Sequence, residues 1–197
     1  MFWLHSSQHH KNRNPFFRAP GFTLIEMMVT ISILGVLTAL AAPSFTDLID
    51  RWRVIETAES LQSTIYIARS EAIKRGGRIV IQKITNGTDG CTLSPTTQDW
   101  GCGWFVYVDT NGNGKWDAEA NGKPGEEILM TTKTSPNTYV TRSTNGKNLK
   151  VSRWGQMDGT NSVGFTIKPV RQSSKVERGV CTSSGGRVRI IPDPPCI

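Results

Sequence analysis

Gly21-Phe22-Thr23-Leu24-Ile25-Glu26-Met27-Met28-Val29 opens a long apolar run in this chain of 197 residues. The run extends from Phe22 to Ala42 with Glu26 as its one charge. Twenty-one residues at the helical rise reach about 30 Å, enough to span a bilayer core. Residues 22–42 are therefore expected to be a transmembrane helical half. Upstream, residues 1–21 hold Lys11, Arg13 and Arg18 and no acid, and their apolar side chains form no run. A secretory signal places its apolar region before the cut, and here the order is reversed. Basic residues ahead of the run hold the leader in the cytoplasm and send the rest to the periplasm. A carboxylate inside a membrane span costs roughly 2.5–3.5 kcal/mol and calls for a partner. The plainer alternative is that Glu26 lies near the membrane edge and reaches water.

Residues 21–29 closely resemble the signature of type IV pilins and type II secretion pseudopilins. The resemblance implies that a prepilin peptidase cuts after Gly21 and that Phe22 becomes an N-methylated N-terminus. It implies that the apolar segment stays as an inner-membrane anchor. Glu26 matches the acidic fifth mature position, which in that family meets the N-terminal amine of a neighbouring subunit in the filament. The leader is longer than many in the family.

Pro43 follows the run and is expected to kink or loosen the helix. Beyond it Phe45, Leu48, Ile49, Trp52, Ile55, Ala58, Leu61, Ile65, Ala68, Ala72 and Ile73 recur at spacings of three and four. That period predicts an amphipathic helical half over 43–76, its stripe packed on a core. Asp47 with Arg51 and Glu71 with Arg75 are i,i+4 pairs for its wet face. Gly76-Gly77 ends it. Ala68-Arg69-Ser70-Glu71-Ala72-Ile73-Lys74-Arg75-Gly76 is similar to the matching helix end in the GspH/FimT subgroup of pilins.

From residue 77 to 197 the pattern changes to short strands between turn residues. Candidate strands are 78–84, 104–109, 127–132, 138–143, 149–154, 162–169, 175–181 and 187–191. Asn86-Gly87, Asn111-Gly112, Asn145-Gly146 and Ser184-Gly185-Gly186 mark turns. The fold class is α+β, a long N-terminal helix packed on antiparallel sheets, which is the pilin fold the resemblance implies. The four cysteines, Cys91, Cys102, Cys181 and Cys196, form no CxxC and have no His nearby, so zinc is not expected. Export makes disulfides the default, with three pairings open to four cysteines. Loop closure favours Cys91–Cys102 and Cys181–Cys196.

Asp109-Thr110-Asn111-Gly112-Asn113-Gly114-Lys115-Trp116-Asp117 has oxygen side chains at positions 1, 3, 5 and 9 of a calcium loop and Gly at position 6. Position 12 is Ala120, so the bidentate Glu is missing. The turn reads as an Asn- and Gly-rich hairpin connection, and no metal or cofactor is expected. Nothing after His10 supplies a catalytic His, and no nucleophile elbow or phosphate loop occurs. The chain is not expected to be an enzyme.

The formal charge is +7, and its distribution matters more than its size. The leader carries three basic residues, residues 22–141 carry ten basic and thirteen acidic, and residues 142–197 carry ten basic and three acidic. The positive charge of the mature chain therefore sits in its last quarter. There, Arg187 and Arg189 are two apart in a strand and project from one face. Gly186-Arg187-Val188-Arg189 resembles the C-terminal GRxR motif of FimT-type minor pilins. That resemblance implies non-specific binding of double-stranded DNA during natural transformation, through Gly186, Arg187 and Arg189, with Lys175, Arg178 and Arg171 as supporting cations. The bland alternative is a solvated basic edge that deters strand aggregation. The competing function is a GspH-type minor pseudopilin of a type II secretion system. On either reading the partners are prepilin peptidase, other subunits and the inner membrane, and residues 181–197 form a basic tail.

Overall fold

The computed structural model describes residues 21–120, 124–157, 162–171, 175–183 and 185–196. The leader expected over 1–21 thus lies outside the described residues apart from Gly21. The chain divides into two units, Met1–Ala42 and Pro43–Ile197. One helix, α1, covers Leu24–Arg75.

Within the first unit, Thr23 starts the helix, its Oγ1 accepting the Glu26 N–H at 3.3 Å. That is the N-cap half of the Thr-x-x-Glu capping pattern, and an acid in the first turn also suits the positive end of the helix. All residues from 21 to 40 are exposed, Phe22, Leu24, Ile25 and Leu40 among them. Polar side chains in the run bond back to the helix: Ser32 Oγ donates to Met28 O and Thr38 Oγ1 to Leu34 O, both at 2.7 Å. These hydroxyls therefore need no water. No single helix among the described residues is long and apolar enough to cross a membrane, whereas Leu24–Leu40 and Phe45–Arg75 taken together pass that test by length and composition.

In the second unit, Val54, Ala58, Leu61, Ile65, Ala68 and Ala72 form the buried stripe of α1. The expected stripe was wider. Phe45, Leu48, Ile49 and Trp52 are exposed, because the buried apolar stripe begins only at Val54, and Ile73 near the helix end is exposed as well. The helix closes at Gly76 and Gly77, both at positive φ, with Gly77 N–H bonded to Ala72 O at 2.7 Å. Glu71 pairs with Arg75 at 2.7 Å as expected, and Arg75 reaches on to Glu127 at 2.7 Å. The Arg75 guanidinium holds the Glu71 carboxyl below its usual range. The Asp47–Arg51 pair does not form; Asp47 instead lies 3.8 Å from Arg171, which tertiary folding brings to it.

Eight strands follow: β1 Ile79–Lys83, β2 Trp104–Val108, β3 Ile128–Thr132, β4 Thr138–Arg142, β5 Asn148–Val151, β6 Val163–Pro169, β7 Arg178–Thr182 and β8 Val188–Ile191. They form two four-stranded antiparallel sheets, ordered β3-β2-β1-β5 and β4-β6-β7-β8. One buried cluster joins the α1 stripe, Ile79, Ile81, Trp104, Val106 and Leu149 of the first sheet, and Val140, Phe165, Ile167, Val180 and Val188 of the second. Trp100 closes it, edge-on to Phe165 with ring centroids 5.3 Å apart.

Both expected disulfides form, Cys91–Cys102 and Cys181–Cys196. The second closes 15 residues, a loop of a size worth about 3 kcal/mol in the chain-entropy account. It fastens the Pro-rich end of the chain to β7.

Candidate functional site

The β7–β8 hairpin carries the two arginines singled out by sequence. Cα pairing sets Cys181 opposite Arg189 and Thr182 opposite Val188. Alternation then sends Val188 into the core and leaves Arg187 and Arg189 exposed on the other face. Among the described residues no carboxylate pairs with either. Both line one shallow cavity together with Ser162, Thr182, Ser183 and the Cys181–Cys196 bridge.

The connecting turn is held at several points. Ser183 N–H donates to Arg187 O at 2.9 Å, Gly186 N–H to Ser183 O at 2.8 Å, and Arg187 N–H to Ser183 Oγ at 3.1 Å. Gly186 is buried with φ +79°, a conformation that favours glycine. A Cβ there would come within 2.7 Å of Gly155 O and 2.8 Å of the Arg69 guanidinium carbon.

Arg69 of α1 is the clamp beneath this turn. Its Nη1 donates to Gly186 O, and its Nε donates to Gly155 O at 2.8 Å. One planar guanidinium thus ties the β7–β8 turn to the turn after β5. That second turn is itself rigid: Gly155 N–H bonds Ser152 O at 2.9 Å, and Ser152 Oγ accepts from Trp154 N–H at 3.3 Å and from Gln156 N–H at 3.2 Å. It presents Trp154, 75% exposed, with the Arg153 guanidinium 5.7 Å from the ring centroid. Arg153 and Trp154 thereby join the neighbourhood of Gly186. Sequence reading missed both Trp154 and the role of Arg69. Arg69 stands within the helix end resembling the GspH/FimT subgroup, but its partners lie 86 and 117 residues away.

The three supporting cations fall elsewhere. Arg171 is engaged with α1, its Nη2 3.2 Å from the buried Asp50 and its Nη1 donating to Thr46 Oγ1 at 2.9 Å. Arg178 is opposite Ile167, in the register of the core-facing Val180, and its Nη1 donates to Glu177 O at 2.8 Å. Lys175 is exposed but precedes the end of β7 remote from the Ser183 turn. Arg187 and Arg189 are therefore left as the cations on the exposed face of the hairpin. At the other end of the chain, Gly21 and Phe22 are exposed ahead of α1, and Glu26 faces out from its first turn.

Residues 57–186 match the family model described as type II transport protein GspH, and residues 17–42 match the prokaryotic N-terminal methylation motif. The chain is 33% identical over 111 residues to the pilin-like protein PilA1 of Thermus thermophilus, covering 56% of this chain and 58% of that protein. It thus spans little more than half of that relative's length. A fimbrial protein of Moraxella nonliquefaciens is 46% identical over 134 residues, covering 56% of this chain and 84% of that protein. The crystal structure of the type IV minor pilin FimU of Pseudomonas aeruginosa superposes with a TM-score of 0.52 at 20% identity, covering 74% of this chain and 92% of that one. This last likeness speaks for the fold.

Proposed function

We propose, from the premise that this chain belongs to the family of the type II transport protein GspH, that it is a minor pilin that binds DNA non-specifically for uptake in natural transformation. Prepilin peptidase cuts after Gly21, and Phe22 becomes the methylated N-terminus. Residues 22–42 anchor the chain in the inner membrane, with the C-terminal unit in the periplasm before assembly into a type IV pilus. The chain acts as a structural subunit without catalysis. The exposed Phe45, Leu48, Ile49 and Trp52 suit packing against helices of neighbouring subunits.

The observation that carries the DNA reading is the unpaired pair Arg187 and Arg189, on one face beside a turn held rigid by Arg69. Guanidinium forks suit phosphate oxygens and read no sequence. A gel shift with duplex DNA and the full chain in non-ionic detergent is expected to show binding that weakens steeply with salt. Arg187→Ala/Arg189→Ala should lower the slope of log affinity against log salt by about 2, one per lost phosphate contact. Unchanged affinity and slope in that double variant would overturn the assignment.

The match to the GspH model supports a second reading, a minor pseudopilin of a type II secretion system that touches protein partners. Absence of DNA binding at low salt favours it. Either reading assigns Glu26 to assembly through the N-terminal amine of a neighbouring subunit. Glu26→Ala is expected to be cut normally yet to be depleted from sheared filaments; equal recovery with the unaltered chain refutes that role.

A further inference from the structure

The loop after β2 has chemistry that neither pilus assembly nor DNA binding uses. Asp109 is 3% exposed, and its Oδ2 accepts the Gly114 N–H at 2.8 Å. Its Oδ1 is buried without a hydrogen-bond partner. Because one oxygen of this carboxylate is fastened to the loop backbone, the other is held at the same loop. Next to it, the fully buried Tyr107 hydroxyl lacks a well-formed hydrogen bond, since the nearby Asn148 amide is turned to Gly114 O.

The loop backbone is wound by two successive Asx turns. Asn113 N–H donates to Asn111 Oδ1 at 2.9 Å, and Lys115 N–H to Asn113 Oδ1 at 2.6 Å. Asn111 and Asn113 both donate from Nδ2 to Asp117 Oδ2, at 2.6 and 2.8 Å, so three side chains converge on one point. Gly114 takes φ +72° at the sixth position, where a calcium loop turns sharply. The missing carboxylate of the twelfth position comes from farther along the chain. Glu126 is 8% exposed and folds back on the loop, its Oε1 accepting Thr110 N–H at 2.8 Å and its Oε2 accepting Asp117 N–H at 3.1 Å.

We infer that Asp109–Asp117, closed by Glu126, is a calcium-binding loop. Its oxygens are the free Oδ1 of Asp109, the side chains of Asn111, Asn113 and Asp117, the Lys115 carbonyl and Glu126. Among the described residues no three His, Cys, Asp or Glu already stand together as metal ligands, so binding draws the carboxylates of Asp109, Asp117 and Glu126 closer. Calcium, unlike zinc, draws on amide and main-chain oxygens for the remainder. Each carboxylate oxygen has two lone pairs, so Glu126 keeps its N–H bonds while it faces a cation. Two basic groups oppose the ion. Arg78 donates to Thr110 O at 2.9 Å, and the Lys150 ammonium packs over Gly114. They set the affinity low, in the range of about 10⁻⁴–10⁻³ M typical of extracellular calcium modules.

The test uses the full chain in non-ionic detergent after treatment with EDTA. Trp116, within the loop, serves as the antenna for terbium luminescence. Calcium is expected to displace terbium from one saturable site and to raise Tm, while magnesium at equal concentration does neither. Asp117→Asn, at an exposed position, should weaken calcium binding about tenfold or more with Tm in EDTA unchanged. Glu126→Gln should also weaken calcium binding while losing one of its backbone N–H bonds, and Lys150→Gln should strengthen binding. No displacement and no Tm rise at about 10 mM calcium, well above the expected range, overturns the site. So does wild-type affinity in both Asp117→Asn and Glu126→Gln.

Discussion

Trp104→Ala should lower the unfolding free energy of residues 43–197 by about 3–5 kcal/mol, as emptied aromatic sites in cores do. Trp104 is fully buried in β2, an inner strand of the first sheet. Its indole N–H donates to Thr64 Oγ1 of α1 at 2.9 Å, so the residue joins the sheet to the helix by packing and by a buried hydrogen bond. Truncation leaves a void that the flanking Leu61, Ile65 and Val106 cannot fill without moving the helix. Trp104→Phe keeps most of the ring and isolates the loss of the hydrogen bond, about 1 kcal/mol. Denaturant unfolding of the chain beginning at Pro43 measures both. A loss under 1 kcal/mol for the Ala variant would mean that β2 and α1 are held together by something other than this side chain.

Gly186→Ala should cost about 1–3 kcal/mol from the left-handed backbone alone, before any clash. The clash is with main chain, since the new Cβ would meet Gly155 O at 2.7 Å, and it is also with the Arg69 guanidinium. The two turns must then separate, and Arg187 and Arg189 lose their fixed approach while keeping their charges. Weaker DNA binding with an unchanged net charge is the expected result. Arg69→Ala should reproduce it, because a hydrogen bond from a charged donor is worth about 1.5–3 kcal/mol and two are lost. Arg69→Lys should not restore binding, since a single ammonium cannot fork to Gly155 O and Gly186 O as the guanidinium does. Thermal melts and gel shifts on the same preparations decide the matter. Full DNA affinity in Gly186→Ala would show that charge alone, without the held turn, suffices.

The secondary structure was largely legible because its signals are local. Helical spacing over 43–76, the Gly76-Gly77 stop and the eight β-rich runs each lie within a few consecutive residues, and the observed boundaries follow them closely. The disulfides were legible because short loops close at least entropic cost. The division into two sheets was not. β5 pairs with β1 and β4 pairs with β6, each across intervening strands, and no local pattern specifies which edge a strand joins. Nor was the exposure of Phe45 through Trp52 legible: periodicity identifies an apolar face, but whether anything covers it depends on where the sheets stop.

The same division runs through the functional residues. Reading along the chain is enough for the motif at Gly21, Phe22 and Glu26, the accumulation of basic residues after Arg142, and the shared face of Arg187 and Arg189. Each follows from order along the chain and from the alternation of a strand. Which of those cations stay free depends on how the chain folds back on itself. Arg171 is drawn to Asp50 and Arg178 donates to the main-chain carbonyl of Glu177, while Arg187 and Arg189 meet no acid among the described residues. Folding also brought Arg69 under Gly186 and Glu126 onto the loop at Asp109. Charge pairing falls off over a few ångströms of space, whatever the number of residues between the partners. A count along the chain locates positive charge, and folding selects the part of it left to meet another molecule.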